Sequence, residues 1–499
     1  MAVFNEDKDR KVIPRWRRFS ATLARGELTP LTSRVFKPTP DLNLQARVKD
    51  WQEHGSLSFA ADLLSCAITL GLENEAREAA EYVMKTCPSC PEATKRLAQR
   101  VLGLSRGTEI APVSLDMLDR AQTGKRIHEI RQKTHGDPRN VFLWVDMARC
   151  YTMLGMKAQA VKCLDVALRL LPNNRFILRS ASRLYIHLNE YDLACKVLRG
   201  SDLVTSDPWV LAAHIAAESI VNKSSRHLKK GLHWLNSERF RPVHLSELAS
   251  AIATLEIESG GRWARRFLRL SLQDPTENAI AQASWIVRKV GSYILEEPVL
   301  SADRPSSEAR AWTYSKEGKW EDSLEHACNW LVDQPFSNRP AVFASYIAAL
   351  LEKYTVSANL AQIGRLANPN SFALLNNYAF AQGQAGHLSD AIEAYNKINE
   401  HALSPEQRMV WRATGGLLKF RSGDASAGRS LYLVALGEYA EPKRRALAMI
   451  NHAIEESLVQ TPEAESFRKE AIAFSENLPD PDIKMLVDRL RKIEQGQKR

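Results

Sequence analysis

The fold of this chain is decided by the stretch FLWVDMARCYTMLGMKAQAVKCLDVALRLLP (Phe142–Pro172). Its apolar residues recur three or four positions apart, the spacing that places side chains on one stripe of an α-helix. Glycine interrupts the pattern and proline ends it, so the stretch predicts two helices joined by a turn. Counted from Val141 as position 1, the marking residues are Trp144 (4), Met147 (7), Ala148 (8), Tyr151 (11), Gly155 (15), Ala160 (20), Leu164 (24), Ala167 (27) and Pro172 (32).

The same register returns elsewhere in the chain. Units begin at Leu57, Arg175, His244 (loosely), Arg304, Asn338 and Phe372. The last three units follow one another at intervals of 34 residues without a gap. Prolines 138, 172, 208, 242 and 275 continue a similar spacing. A register that recurs at a fixed period indicates a repeat array.

This register resembles the tetratricopeptide repeat (TPR). The resemblance implies an all-α fold, a right-handed α-solenoid of stacked antiparallel helix pairs. Small residues at positions 8 and 20 let the two helices of a pair approach, and a glycine or polar residue breaks the chain between them. One pair cannot bury its own apolar face, so neighbouring pairs must stack.

The register and the composition divide the chain into five predicted segments. These are an extended basic N-terminal arm (1–45), an N-terminal TPR-like array (46–275), a shortened connecting repeat (276–303), regular in-phase TPR repeats (304–405), and degenerate repeats with C-terminal capping helices (406–499). Between residues 11 and 50 there are nine Lys/Arg and three acids. We expect the arm to lie along the array or to bind a partner.

Composition and charge restrict the class of protein. With 44% hydrophobic and 25% charged residues, the chain is expected to fold. It has no apolar run long enough for a bilayer and no signal-peptide pattern, so we expect a cytoplasmic protein without a membrane partner. Residues 120–272 carry 25 Lys/Arg and 13 Asp/Glu, a balance of +12. This concentration indicates an acidic partner, nucleic acid, or a solvated face.

The four residues CPSC (Cys87–Cys90) have the spacing of a metal or redox motif. In the register from Leu57, however, Pro88 falls at position 32, where other units end their second helix, so we interpret the motif as a turn. The sequence has no phosphate-binding loop, HExxH or GxSxG motif. His128 and His135 lie seven apart but lack a third ligand. We expect no catalytic residue, no metal, no cofactor, and no enzyme.

The resemblance implies that positions 2, 5, 9, 12 and 13 of each first helix line a concave groove. Arg149 (position 9), Arg179 (position 5) and Arg183 (position 9) would then point into one stretch of it. Guanidinium groups suit carboxylates and phosphates. The alternative is that these arginines are solvated or paired with Asp146 or Asp165.

An aromatic side chain occupies position 9 in three consecutive units. Trp312, Tyr346 and Phe380 form this predicted aromatic ladder, with Asn376 beside it at position 5. Aromatic anchors are typical of interface hot spots, and the amide would bond a ligand backbone. The alternative is that the rings pack as ordinary core.

Three functions remain open from the sequence. The first is a non-catalytic scaffold or adaptor that binds a partner protein or peptide in its groove, as a subunit of a larger complex. The second is a nucleic-acid-binding protein that uses the basic 120–272 segment and the arm, where Arg15, Trp16, Arg17 and Arg18 would contact phosphates and bases. The third, a catalytic domain within 1–56 or 440–499, would be small for an active-site core.

Overall fold

The computed structural model of the chain contains helices, turns and one extended segment. It describes residues 10–19, 31, 42–70, 72–86, 92–102, 118–223, 225–237, 239–291, 294–295, 306–438 and 441–497. No β-strand occurs among these residues, and the prediction of an all-α fold is confirmed. The chain forms two compact units: unit 1 comprises Met1–Leu31 and Ser114–Arg499, and unit 2 comprises Thr32–Val113.

Unit 2 has a small apolar core of its own. Its helices are α1 (Leu42–His54), α2 (Leu57–Leu70), α3 (Arg77–Thr86) and α4 (Glu92–Val101). Helix α2 begins at the residue from which the first repeat was counted. Alanine and leucine side chains at the repeat's core positions, including Ala60, Leu63, Leu64 and Ala80, are buried.

Unit 1 is a longer succession of helices. In chain order they are α5 (Arg120–Gly136), α6 (Val141–Met153), α7 (Lys157–Leu170), α8 (Arg175–His187), α9 (Tyr191–Arg199), α10 (Pro208–Ile220), α11 (Leu228–Asn236), α12 (Pro242–Glu258), α13 (Ala264–Ser271), α14 (Glu277–Val290), α15 (Ser307–Lys316), α16 (Trp320–Asp333), α17 (Asn338–Leu350), α18 (Tyr354–Ala367), α19 (Phe372–Gln384), α20 (Leu388–Asn396), α21 (Pro405–Arg421), α22 (Ala425–Glu438), α23 (Pro442–Val459), α24 (Ala464–Ser475) and α25 (Pro481–Gln497).

These helices pack as consecutive pairs. Each of α6, α8, α10, α12, α15, α17, α19, α21 and α23 contacts the helix that follows it. The first helices of neighbouring pairs also contact one another, along α6, α8, α10 and α12 and again along α17, α19, α21 and α23. Helices α6, α8, α17 and α19 begin at Val141, Arg175, Asn338 and Phe372, the residues from which the repeats were counted. Stacking buries the apolar face that a single pair would leave open.

The turn inside a pair has a left-handed residue at position 15. The φ angles are +69° at Gly155, +61° at Asn189, +73° at Gly318, +61° at Glu352 and +86° at Gly386. Glycine adopts this region freely, and asparagine does so more readily than most residues. Its occurrence at a glutamate shows that the repeat geometry imposes the conformation.

Gly155 has a second constraint, because the turn that contains it lies against helix α18. A Cβ atom at Gly155 would stand 2.5 Å from the carbonyl oxygen of Leu366. Helices α6 and α18 are in contact although about 200 residues separate them in sequence. Helix α6 also borders the site described below.

The prolines have two roles in the structure. Pro172 and Pro335 follow the ends of α7 and α16, as predicted for position 32. Pro208 and Pro242, which continue the spacing, instead stand at the first positions of α10 and α12. A proline is tolerated there because the first helical N–H has no intrahelical partner.

Two further predicted segments can be placed. Helix α14 lies in the segment 276–303 and contacts α12 and α15, while residues 292–293 and 296–303 lie outside the described part of the chain. At the C-terminal end, α25 contacts both α23 and α17. Among the described helices, none is long and apolar enough to cross a bilayer.

Candidate functional site

The N-terminal segment, Arg10–Phe19, lies without helix or strand against the inner helices of unit 1. The sequence predicted that this region either follows the array or binds a partner. In the structure, residues from α6, α12, α14, α15 and α16 contact it. We call the polar residues that contact its cations the acidic cradle: Glu258, Glu277, Asn278, Gln282, Glu308 and Asp333.

Arg10 sits in the deepest part of the acidic cradle, with its side chain 5% exposed. Its Nε donates to Oε1 of Glu308 at 2.9 Å, and its Nη2 donates to Oε2 at 3.0 Å. Nη2 also donates to Oδ1 of Asn278 at 3.2 Å, and Nη1 donates to Oε1 of Gln282. All three guanidinium nitrogens are therefore engaged, two of them in the fork geometry that matches a carboxylate.

Arg15 and Arg17 extend the same ionic arrangement. Nη1 of Arg15 lies 3.0 Å from Asp333 and 3.2 Å from Glu277, and its Nη2 lies 3.1 Å from Glu308. Arg17 pairs with Asp333, with Nε 2.6 Å from Oδ1, and also with Glu277. These two arginines differ in burial, since the side chain of Arg15 is 8% exposed and that of Arg17 is 39% exposed.

Aromatic side chains hold the rest of the segment. Trp16 is buried, and its ring meets the edge of Phe336 at a centroid distance of 5.5 Å. Phe19 stacks on Phe142 at 4.0 Å with nearly parallel rings, and Phe176 lies 5.4 Å away. The segment therefore combines charged and aromatic contacts, as interface anchors commonly do.

Side chains of the array also contact the backbone of the segment. Gln282 donates to the carbonyl of Arg10 at 2.9 Å, Asn278 to that of Ile13 at 2.9 Å, and Arg149 to that of Trp16 at 3.1 Å. The three carbonyls are three residues apart in the sequence. The array thus contacts the backbone of the segment in addition to its side chains.

Two carboxylates of the acidic cradle, Glu308 and Asp333, are kept ionised by the arginines. Burial acts to raise the pKa of Glu308, but Arg10, Arg339 and Arg15 outweigh it and hold the pKa well below its ordinary value. Burial likewise opposes the lowered pKa of Asp333, which Arg17 and Arg15 produce. Glu308 also lies in the first turn of α15, where the helix dipole favours a negative charge.

The three arginines predicted to share one stretch of groove have separate environments. Arg149 contacts the N-terminal segment, as described above. Arg179 pairs with Glu247 at 2.8 Å and lies over the ring of Trp209. Arg183 donates to the hydroxyl of Ser337 at 3.1 Å. Arg149 is thus the one of the three that the structure shows in contact with the segment. Asp165, which the alternative interpretation named as a partner, accepts from the hydroxyl of Tyr185 at 3.4 Å.

Burial has a further effect on Arg183, whose guanidinium lies 4.8 Å from the ring centroid of Phe336. Burial, and secondarily Arg339, lowers the pKa of Arg183 to about 10. It therefore remains charged at neutral pH.

The aromatic ladder is buried beneath other parts of unit 1. Trp312, Tyr346 and Phe380 are 7%, 6% and 2% exposed. The hydroxyl of Tyr346 donates to Oδ2 of Asp482 in α25 at 2.8 Å, and burial, followed by Asp482, raises the pKa of the tyrosine. Asn376 is fully buried, and neither of its amide atoms has a hydrogen-bond partner among the residues that the structure describes. A role for these four residues as partner contacts stays a prediction, and it requires the covering elements to move.

The neighbours of Trp312 and Phe380 explain their burial. The ring of Trp312 packs 4.3 Å from that of Phe343 in the next first helix. Phe380 belongs to an apolar cluster with Leu417, Phe420 and Tyr432 of the following pair. The ladder residues therefore contribute to packing between repeats, as the alternative interpretation proposed.

The residues predicted to contact nucleic acid are mostly turned inward. Arg15, Trp16 and Arg17 make the contacts given above, while Arg18 is exposed. Their contact with nucleic acid stays a prediction, and for the first three it requires the segment to leave the array.

The cysteine motif cannot be placed, because Cys87 and Cys90 lie outside the described residues. The described cysteines are free thiols. Among the described residues, no group of three or more His, Cys, Asp or Glu is arranged to hold a metal ion.

Most of the cradle residues were not identified from the sequence, although the repeat register places some of them at groove positions. Glu308 is position 5 of the unit from Arg304, and Arg339, which contacts it at 3.0 Å, is position 2 of the next unit. Phe142 and Phe176 are position 2 of their units. All four stand at positions that the TPR resemblance assigns to the groove. Asn278 and Gln282 lie in α14, outside any counted unit, and no signal pointed to them.

One repeat type accounts for the helix pairs, their 34-residue spacing and the shared conformation at position 15. The fold is TPR-like. Comparison with solved structures finds similar chains at low identity. The TPR-like chain matches a chain of the APC/C hetero-tetramer Cut9-Hcn1 at 12% identity, over 90% of this chain and 92% of that chain, with a TM-score of 0.37.

Two other solved structures are similar to the TPR-like chain. A human IFIT1 dimer with PPP-AAAA matches at 12% identity, over 75% of this chain and 95% of that chain, with a TM-score of 0.33. Yeast Tom70 matches at 11% identity, over 89% of this chain and 96% of that chain, with a TM-score of 0.28. No protein-family model and no curated protein matches the sequence.

Proposed function

We propose that this chain is a non-catalytic scaffold that binds an extended segment of a partner protein along the inner helices of unit 1, as a subunit of a larger complex. One observation carries the proposal. The N-terminal segment lies against these helices as a peptide ligand would. Side chains of the array contact both the backbone and the side chains of the segment.

The chemistry of the contacts supports a peptide ligand. Amide side chains of Asn278 and Gln282 each use their oxygen for Arg10 and their nitrogen for a backbone carbonyl. Gln282 also donates to the hydroxyl of Thr254 at 2.9 Å, which fixes its orientation. Preorganised groups of this kind reduce the entropy that is lost on binding.

Site-specific photo-crosslinking tests the proposal in the full chain. A photoreactive amino acid in place of Phe142, beside the segment, should form adducts with a peptide segment of a co-purifying protein. The matched control is Trp263, the N-cap residue of α13, which is 44% exposed. Protein adducts that form at position 263 and never at 142 would contradict the proposal.

A second candidate function, nucleic-acid binding, is favoured by the exposed face of the second helices. Lys162, Lys229 and Arg266 are exposed on α7, α11 and α13. The guanidinium groups of Arg262 and Arg266 lie 4.9 and 5.7 Å from the ring centroid of Trp263. Cations around an exposed aromatic ring suit a phosphate backbone with stackable bases.

A salt series separates this candidate from the first. Binding of a labelled single-stranded oligonucleotide should weaken steeply between about 50 and 200 mM salt if phosphates are contacted. The variant Lys229→Ala should reduce the salt slope by about one. Absence of binding at low salt would remove the nucleic-acid candidate and leave the scaffold unaffected.

A further inference from the structure

We propose that the acidic cradle is an exchangeable binding site for arginine-bearing extended segments, which the N-terminal segment occupies in cis until a partner's basic segment replaces it. The inference rests on the proposed function and specifies its ligand. The partner would carry arginines and two aromatic residues spaced as in RKVIPRWRRF (Arg10–Phe19).

The innermost contact selects arginine over lysine. Glu308 receives the Arg10 fork through both oxygens, while Asn278 and Gln282 accept from the remaining donors. A lysine ammonium is a single point of charge and cannot reach these acceptors with a planar fork. The site therefore reads the shape of the guanidinium as well as its charge.

Charge balance requires a basic occupant. Among the described residues, the four cradle carboxylates Glu258, Glu277, Glu308 and Asp333 form ion pairs with four cations of the segment, Arg10, Lys11, Arg15 and Arg17. Without the segment, Glu308 would keep Arg339 as its described ion-pair partner. A buried carboxylate that loses partners is destabilising. An acidic or uncharged peptide would leave this cost in place.

The segment is attached in a way that permits exchange. Its described backbone hydrogen bonds with the array go to side chains: three carbonyls accept from side chains, and the N–H of Phe19 donates to Oδ1 of Asp146 at 3.1 Å. The side chains of Val12 and Trp16 add apolar contacts. Within the segment, one backbone hydrogen bond joins Ile13 to Lys11. A second strand with the same side chains can make these contacts without altering the fold of the helices.

Spacing along the segment gives the site its selectivity. Arg10 and Arg15 converge on Glu308 from five residues apart, and Trp16 enters the apolar space beside Phe336. Phe19 reaches the ring of Phe142 at the other end. A competing ligand would need two arginines five residues apart, with aromatic residues one and four positions after the second arginine.

A synthetic peptide with the sequence of residues 10–19 tests the proposal by calorimetry. The full-length wild-type chain should bind it weakly, because a tethered segment competes at a local concentration of about 1 mM. The full-length variant Arg10→Ala/Arg15→Ala, whose own segment is weakened, should bind it at least about tenfold more tightly. Equal affinity for both chains, or no binding to either, would overturn the proposal.

Two controls address the chemistry. A peptide with lysine in place of Arg10 and Arg15 keeps the charge, and it should bind the double variant at least about tenfold more weakly, since the guanidinium contacts of both residues are lost. In the double-variant background, Glu308→Gln should reduce peptide affinity, whereas Glu317→Gln, an exposed carboxylate that ends the same helix, should not. Equal binding of the lysine peptide would contradict selection for guanidinium.

Folding of the double variant is checked by circular dichroism. Retained helicity supports an exchangeable segment, while loss of helicity would show that the segment is a permanent part of the fold and would overturn the proposal. The crosslinking experiment at position 142 separates this inference from the function on which it rests. A partner segment that lacks arginine would uphold the scaffold and contradict the ligand.

Discussion

Two stretches of inner helix face in unit 1 are covered by other parts of the same chain, but by different physical means. The acidic cradle is covered by an extended segment, through ion pairs, hydrogen bonds between side chains of the array and the backbone of the segment, and the buried side chains of Val12 and Trp16. The aromatic ladder is covered by packed helices of the following repeats, through apolar contact and one hydrogen bond to Asp482. The first arrangement resembles a bound ligand, and the second is part of the core.

The difference follows from what each covering element can do alone. An isolated strand has no partner for its backbone and must receive hydrogen bonds from the array. A helix satisfies its own backbone and can be held by apolar burial alone. Removing the segment exposes charged groups that water can hydrate as well as the apolar contacts of Val12 and Trp16, whereas removing the helices exposes the apolar surface of the whole ladder. We therefore expect the segment to separate from the array far more readily than the helices do.

The largest effect is expected from Phe380→Ala in the aromatic ladder. The ring is 2% exposed and packs in an apolar cluster, so truncation should lower the free energy of unfolding by about 3–5 kcal/mol. Urea denaturation of the full chain measures this. The control Phe474→Ala removes a ring that is 38% exposed and should cost much less. Similar losses for the two variants would remove the distinction between ladder and surface.

The next effect concerns Arg10→Ala, which should release the segment while the helices stay folded. Loss of the charged hydrogen bonds, each worth about 1.5–3 kcal/mol, should raise the population of free segment more than about tenfold. Fluorine NMR of 4-fluorophenylalanine at position 19 reports this, because the ring stacks on Phe142 when bound. Arg18→Ala, an equal change of charge at an exposed residue, should raise the free-segment population much less than Arg10→Ala does.

Acid should open the cradle and spare the ladder's tyrosine. The pKa values of Glu308 and Asp333 are lowered in the folded chain from ordinary values of 4.5 and 3.8. The stabilisation that these two carboxylates provide is therefore complete above those ordinary values. It is lost as the pH falls through the pKa values of the folded chain, and each unit of pKa shift changes the equilibrium constant by a factor of about ten. Tyr346, with a raised pKa, contributes stability below its ordinary value of 10 and loses it only as the pH rises.

The same fluorine signal measures the acid effect. The free-segment population should grow as the pH falls below about 4.5, and Glu308→Gln should flatten that dependence. A bound signal that persists unchanged until the helices unfold would mean that the cradle carboxylates do not control the segment.

The smallest effect is expected from Arg17→Ala. Its side chain is 39% exposed, and ion pairs at such sites contribute about 0–1 kcal/mol. The free-segment population should rise by less than about fivefold, which is well below the effect of Arg10→Ala. An effect as large as that of Arg10→Ala would show that the outer carboxylates, Glu277 and Asp333, dominate the attachment.

The sequence predicted the repeats well because their spacing is local. Core residues such as Ala148 and Ala379 pack against residues of the same helix pair or the next one. Their recurrence at a fixed period therefore identifies them in the sequence. The cradle could be predicted only in part. Glu308 and Phe142 occupied groove positions in the register, but nothing local connects them to a segment up to 298 residues away. The ladder could not be assigned to groove or core, because its cover comes from distant helices.

The central claim is that the N-terminal segment occupies the cradle as a replaceable ligand. Titration of the full-length chain, carrying 4-fluorophenylalanine at position 19, with unlabelled peptide of residues 10–19 tests it most directly. We expect the signal of the ring stacked on Phe142 to decrease and that of a free ring to grow, while the circular dichroism of the helices is unchanged. A stacked signal that does not decrease at millimolar peptide would contradict the claim.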